Sequence, residues 1–235
     1  MEIKNHLSLL STAIVIVFSC LGCSNEPVGR SNCATVDISN LSETQLLFYD
    51  VAFNEEFGDG SERLRKWVGD VNFFIEGNVD SILLEELNSI ISELNSTGNS
   101  QQLIEVNSQN EADLIVFFGT KEEYVAEIEP QAEGFAEGSR GFTSIFWDNN
   151  FRIVAASVCI DNVNFTQFED LQHVLREELA QSLGLINDTV LDDSSIFNQF
   201  IQNQNYSPTD LEFIGQMLSS NLLPGMCPDE ALLVF

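Results

Sequence analysis

The chain has 235 residues, 44% of them hydrophobic and 10% aromatic, with 9 Lys and Arg against 37 Asp and Glu and a formal charge of −28. That is enough apolar material for one domain with a sizeable core. So acidic a surface excludes nucleic acid as a partner, because phosphates need cations, and it repels anionic lipid head groups, so a membrane would have to be held by a covalent anchor rather than by the protein face. Solubility accounts for the acidity; attraction for metal ions would be unspecific.

Residues 1–22 read as an export signal, with Lys4 as the basic flank and an apolar stretch over 7–21 that is too short to span a bilayer. Cys20-Leu21-Gly22-Cys23 resembles a bacterial lipobox with small Gly22 before Cys23, although Cys20 stands where Leu is usual, and Val17-Phe18-Ser19-Cys20 is the alternative. Acylation at Cys23 (alternatively Cys20) supplies the two or more chains that stable anchoring needs; an ordinary secretory signal is the other reading. The expected place is the bacterial cell envelope, exported and lipid-anchored. Ser24 rather than an Asp after Cys23 favours the outer membrane. Residues 23–40 read as a polar, lipid-anchored tether and 41–235 as one domain, with no internal repeat. Cys33, Cys159 and Cys227 remain beyond the anchor, an odd number in an oxidising compartment. One bridge is expected, with Cys159–Cys227 the preferred pairing although sequence alone leaves the others open.

The elements follow in order. Residues 46–57 form an amphipathic leading segment, and Gly58-Asp59-Gly60-Ser61 a turn. Alternation over 67–75 predicts a strand. A helix over 79–94 is apolar at Ile82, Leu83, Leu87, Ile90, Ile91 and Leu94. Residues 102–106 make a short strand, 112–118 a continuous apolar and hence buried strand, and 122–127 a short helix. A Gly-rich acidic loop covers 129–141, and strands over 142–147 and 152–160 are joined by the turn Asp148-Asn149-Asn150. A final helix covers 210–219, with Pro208 in its first turn.

Between the last strand and the last helix lies the most informative stretch, residues 173–188. Leu171, Val174, Leu175, Leu179 and Leu183 form one apolar face at helical spacing. Thr166-Gln167-Phe168-Glu169 reads as a capping box that starts the helix, and Gly184 ends it. Glu177 and Gln181 stand on one side, four apart, while Glu178 projects within the apolar arc, where a carboxylate is costly unless something pairs with it.

The pattern Glu177-Glu178-x-x-Gln181-x-x-Gly184-x-x-Asn187 resembles the zinc motif of metzincin peptidases, His-Glu-x-x-His-x-x-Gly-x-x-His, with every zinc ligand replaced. Glu177 and Gln181 take the two helical His positions and Asn187 the third, with Asp188 as an anionic substitute; Glu178, at the general-base position, and Gly184 are unchanged. Ser195-Ile196-Phe197-Asn198 resembles the metzincin Met-turn, with Phe197 in the Met position, and Ser207-Pro208-Thr209-Asp210-Leu211 resembles the opening of the last metzincin helix. The resemblance implies a zincin-like α+β domain: a twisted mixed sheet with an antiparallel edge strand (142–147) lining a cleft, a motif helix and a C-terminal helix. Residues 46–226 also resemble a bacterial family of exported proteins of unknown function, marked by Arg63-Leu64-Arg65-Lys66-Trp67, the Glu-Glu-x-x-Gln motif, Ser-Ile-Phe and Pro224-Gly225-Met226.

Zinc prefers imidazole, thiolate or carboxylate. Glu177, Gln181 and Asn187 offer oxygens, two of them neutral amides, so no cofactor is expected; if there is one, it is a divalent cation, with Ca, Mg or Mn better suited to oxygen donors than Zn. His173 stands four before Glu177 and can touch it, and reads as an exposed His paired with a Glu. Glu177 and Gln181 read equally as a hydrogen-bond network in place of a metal, and Asn187-Asp188 as a turn cap. The functions implied are a binding lipoprotein that holds a peptide or protein in its cleft by strand addition, an active metal-dependent hydrolase using Glu178 as base, or a plain structural protein of the envelope.

Overall fold

The apolar run Leu114–Phe118, set between Asp113 and Gly119, has no polar face to show to water, and it becomes the middle strand of a five-stranded sheet. The architecture is that of a computed structural model, which describes residues 32–54, 62–97, 100–134, 139–200 and 202–235. The export signal, Cys20, Cys23, most of the tether, the 58–61 turn and residues 135–138 of the Gly-rich loop lie outside the described residues. Cys33–Phe235 forms one unit.

Helix α1 (Glu43–Phe53) starts at a capping box between Ser42 and Gln45. Strand β1 (Val71–Gly77) begins four residues later than alternation predicts. The cause is Gly69, at φ +89, which turns the chain; Trp67 before it sends its indole N–H to Ser182 O at 2.9 Å instead. Helix α2 (Ser81–Thr97) is launched by Asp80, whose Oδ1 accepts from Ile82 N and Leu83 N, and it buries Leu83, Leu87, Ile90 and Leu94. Strands β2 (Leu103–Glu105) and β3 (Leu114–Phe118), helix α3 (Lys121–Glu127) and the hairpin strands β4 (Gly141–Trp147) and β5 (Ile153–Ile160) follow. Helices α4 (Phe168–Gln181) and α5 (Pro208–Met217) come next, and a short α6 (Pro228–Ala231), which carries no apolar period long enough to be read from sequence, closes the chain.

The sheet order is β2-β1-β3-β5-β4, parallel throughout except for β4, which runs antiparallel to β5 at the edge. This is the mixed α+β sheet with an antiparallel edge strand that the sequence predicts. Helices α2 and α4 cover one face over the main core; on the other face α3 covers a smaller cluster of Phe117, Tyr124 and Cys159. Arg176 on α4, 4% exposed, reaches Glu93 and Glu86 on α2 at 2.6 and 2.8 Å and fixes how the two helices pack.

Two expectations are corrected. The disulfide joins Cys33 to Cys227, with Cα atoms 5.4 Å apart, and not Cys159 to Cys227. Cys159 is a buried free thiol, because its place on β5 turns it into the α3 cluster, away from both chain ends. Thr166 does not cap α4 either: the N-cap is Gln167, without a side-chain bond, and the chain leading to it is turned by Asp161, which accepts from Asn164 N at 2.9 Å.

Candidate functional site

The apolar face of α4 buries Leu171, Val174, Leu175 and Leu179, and that placement carries Glu178 and Gln181 inward with them, 7% and 8% exposed. Glu178 lies under the edge strand. Thr143 Oγ1 on β4 stands 2.6 Å from Glu178 Oε2 and 3.0 Å from its main-chain O, so the hydroxyl proton serves the carboxylate. Gly141 leaves room for the other oxygen: a Cβ there would sit 2.6 Å from Glu178 Oε1 and 2.3 Å from Val174 Cγ1. The carboxylate thus ties the middle of α4 to β4.

Glu177 faces the other way along the helix and meets His173, Nε2 to Oε2 at 3.3 Å, while His173 Nδ1 is 2.8 Å from Asn203 O. Carboxylate and carbonyl oxygens only accept, so this pair of partners favours the ring with both nitrogens protonated. Burial pulls its pKa down, but the hydrogen bond and charge of Glu177, the Asn203 carbonyl and the charge of Asp188 outweigh burial and hold it above 6.5. His173 is therefore not the exposed His that sequence suggests; it is 5% exposed, and Asn203, itself tied to Ser195 O, meets it from the far side.

Gln181 Nε2 donates to Asp188 Oδ1 at 3.1 Å, and Asn187 Nδ2 donates to Asp188 O at 2.6 Å. Asn187 N reaches Val51 O on α1 at 3.1 Å, so the turn after Gly184, itself at φ +105, is sewn to the first helix. Phe197 is fully buried, its ring centroid 5.8 Å from that of Phe213 on α5. Asp210, at the start of α5, holds this turn by accepting from Ser195 Oγ at 2.7 Å and Ile196 N at 2.9 Å. Burial raises the Asp210 pKa above the carboxylate norm, and these bonds only partly offset it.

The structure thus brings together Glu177, Gln181, Asn187 and Asp188 with His173, and places Glu178 beside β4. Thr143, Gly141 and Asn203 complete the site and were not singled out by sequence. Asn203 sits in the polar run Gln202-Asn203-Gln204-Asn205, where nothing distinguishes it, yet its Nδ2 donates to Ser195 O at 2.8 Å and its carbonyl serves His173. The arrangement does not suit a cation. Gln181 aims an N–H and not a lone pair at Asp188, and Glu177 is paired to His173; among the described residues no group of three or more His, Cys, Asp and Glu is placed to hold a metal.

Two solved structures of myroilysin are similar to the chain. One is 12% identical, covers 67% of this chain and 97% of its own, and has a TM-score of 0.41; the other is 11% identical, covers 81% and 99%, and has a TM-score of 0.43. No curated protein matches. The family described as "Protein of unknown function (DUF2927)" matches residues 42–235, all but the first part of the chain, and the protein belongs to that family.

Proposed function

We propose that the protein is an envelope-anchored lipoprotein whose metzincin-like domain binds a peptide or protein segment and does not hydrolyse it with zinc. One observation carries this reading: the side chains at the zinc-ligand positions are engaged by protein partners, Glu177 with His173, Gln181 with Asp188 Oδ1 and Asn187 with Asp188 O. The order of motif helix, Phe197 turn and α5, joined by Asp210, supports the metzincin likeness. The edge strand supports the binding role. Asp161 N donates to Arg140 O at 3.1 Å, so by antiparallel alternation Phe142 and Ser144 turn their main-chain groups toward β5, while Gly141, Thr143 and Ile145 turn theirs away. Among the described residues no strand pairs with that outer side, and it can accept an extended segment. The test is metal content after dialysis together with peptide-library cleavage. The expected result is no stoichiometric zinc and no cleavage; near-equimolar zinc overturns the reading.

A second reading rests on Glu178, which stands at the general-base position of the motif that the sequence resembles and lies beside the edge strand. It makes the protein a hydrolase that recruits Ca, Mn or Zn through oxygen ligands from Glu177, Gln181 and Asn187 or Asp188. Cleavage that depends on added metal and vanishes in Glu178→Gln would establish it.

A further inference from the structure

The segments Arg63-Leu64-Arg65-Lys66-Trp67 and Pro224-Gly225-Met226 stand out in the sequence, yet neither enters the α4 motif. The fold brings them to each other. Arg63 Nη1 donates to Gly225 O at 2.8 Å, Leu64 N to Met226 O at 2.9 Å and Gly225 N to Leu64 O at 2.8 Å. Beside this joint opens a cavity of about 210 Å³, walled by Lys66, Trp67, Val68, Gln101, Leu222 and Leu223. It lies where the chain enters β1 and β2 and leaves α5. It is smaller than the roughly 300 Å³ at which drug-sized pockets begin, and suits a small organic molecule.

Lys66 is what sets this cavity apart. The residue is 3% exposed, and its ammonium donates to Gln101 Oε1 at 2.6 Å and to the main-chain O of Met217. Gln101 is held in place by its own Nε2, which donates to Trp67 O at 2.9 Å. Both acceptors are neutral, and an ammonium has three protons to give. In a chain with 37 Asp and Glu, none of the described carboxylates pairs with this cation. A buried charge without a counter-ion is costly. Burial accordingly lowers the Lys66 pKa to about 8, with no neighbouring charge to restore it.

We propose that the cavity binds a small monocarboxylate with a short apolar body, the carboxylate taking the remaining proton of Lys66 Nζ and the body lying against Trp67, Val68, Leu222 and Leu223. A single cation among apolar walls matches one negative charge and not a phosphate dianion. The formal charge of −28 repels anions at long range, so binding rests on the local, desolvated pair and is modest.

The chain has three lysines, Lys4, Lys66 and Lys121, so in the mature protein ε-¹³C-lysine labelling yields two signals, and Lys66→Met assigns them. Hexanoate is titrated against hexan-1-ol. The expected result is a saturable shift of the Lys66 signal alone, with the alcohol bound at least about tenfold more weakly, a difference of about 1.4 kcal/mol. Lys66→Met, checked by thermal melting, should lose the preference for the acid. Leu223→Trp, which crowds the rim and leaves Lys66 in place, should weaken hexanoate by a similar factor and carries the test if Lys66→Met does not fold. A Lys66 signal that stays unmoved, an alcohol that binds as tightly as the acid, or a Leu223→Trp variant that binds as wild type overturns the proposal.

Discussion

The contact between Thr143 and Glu178 is the joint on which the candidate site turns, and its energy can be measured. At 2.6 Å the hydroxyl makes a short, charge-assisted bond to a carboxylate that is only 7% exposed. Thr143→Val keeps the shape and strand preference of the side chain and removes the proton. Taking a donor from a buried charged acceptor costs about 1.5–3 kcal/mol. In a domain of this size each kcal/mol moves the melting temperature by about 2–4 °C, so a loss of about 2 kcal/mol should lower it by about 4–8 °C. Glu178→Gln retains an oxygen for Thr143 but replaces a charged acceptor by a neutral one, and should cost about 1 kcal/mol. The double variant should be less destabilised than the sum of the two by about 1 kcal/mol or more. The assay is urea unfolding with the disulfide intact, at one pH, on wild type and the three variants. Additivity within about 0.5 kcal/mol would show that the pair is not coupled and that Glu178 is not a tie between α4 and β4. A Glu178→Gln protein more stable than wild type would point instead to a strained, functional carboxylate.

Other perturbations test neighbouring parts. Because the folded pKa of His173 lies above 6.5, its charge stabilises the fold fully below the unfolded pKa, and that contribution is lost as pH rises through the folded value. His173→Gln should therefore cost more at about pH 5.5 than at about pH 8.5, and a gap that does not change with pH refutes the imidazolium assignment. Replacing both Cys33 and Cys227 by Ser opens a link across 194 residues and should cost about 3–5 kcal/mol, so an unchanged melting curve would contradict the bridge. Gly184→Ala puts a Cβ 2.3 Å from Arg65 O at φ +105 and should lose at least about 2 kcal/mol; a neutral variant would mean the turn is free to move. Cys23→Ser should release the protein from membranes and end incorporation of labelled fatty acid, whereas a wild type that never takes up label removes the lipid anchor from the proposal.

Much of the fold was legible because its signals are local. The apolar run of β3, the hairpin turn between β4 and β5 and the period of α2 and α4 each sit within one stretch of chain. What was missed depends on distant chain. The late start of β1 goes with the turn at Gly69 and with Trp67 reaching Ser182, far along the chain, and the start of α4 with Asp161 turning the chain where the sequence predicts a Thr166 cap. The disulfide was misassigned because its two cysteines lie at opposite ends of the domain sequence, and no local pattern says that the ends meet.

The candidate site divides along the same line. Spacing was enough to place Glu177, Gln181, Asn187 and Asp188 together and to put His173 within reach of Glu177. It could not reveal that Ser195 and Asn203 close over them, or that Asn203 holds the imidazole from the far side. That closure sets what these side chains do. Glu177 and Asp188 are two half-buried carboxylates that need positive charge or donors nearby. His173 bears on both, through contact with Glu177 and through its charge toward Asp188, and Gln181 adds an N–H to Asp188. The protein thereby supplies positive charge and a donor to these carboxylates from its own side chains. Gln181 and His173 are two parts of one arrangement, which holds the α4 end and the following turn together.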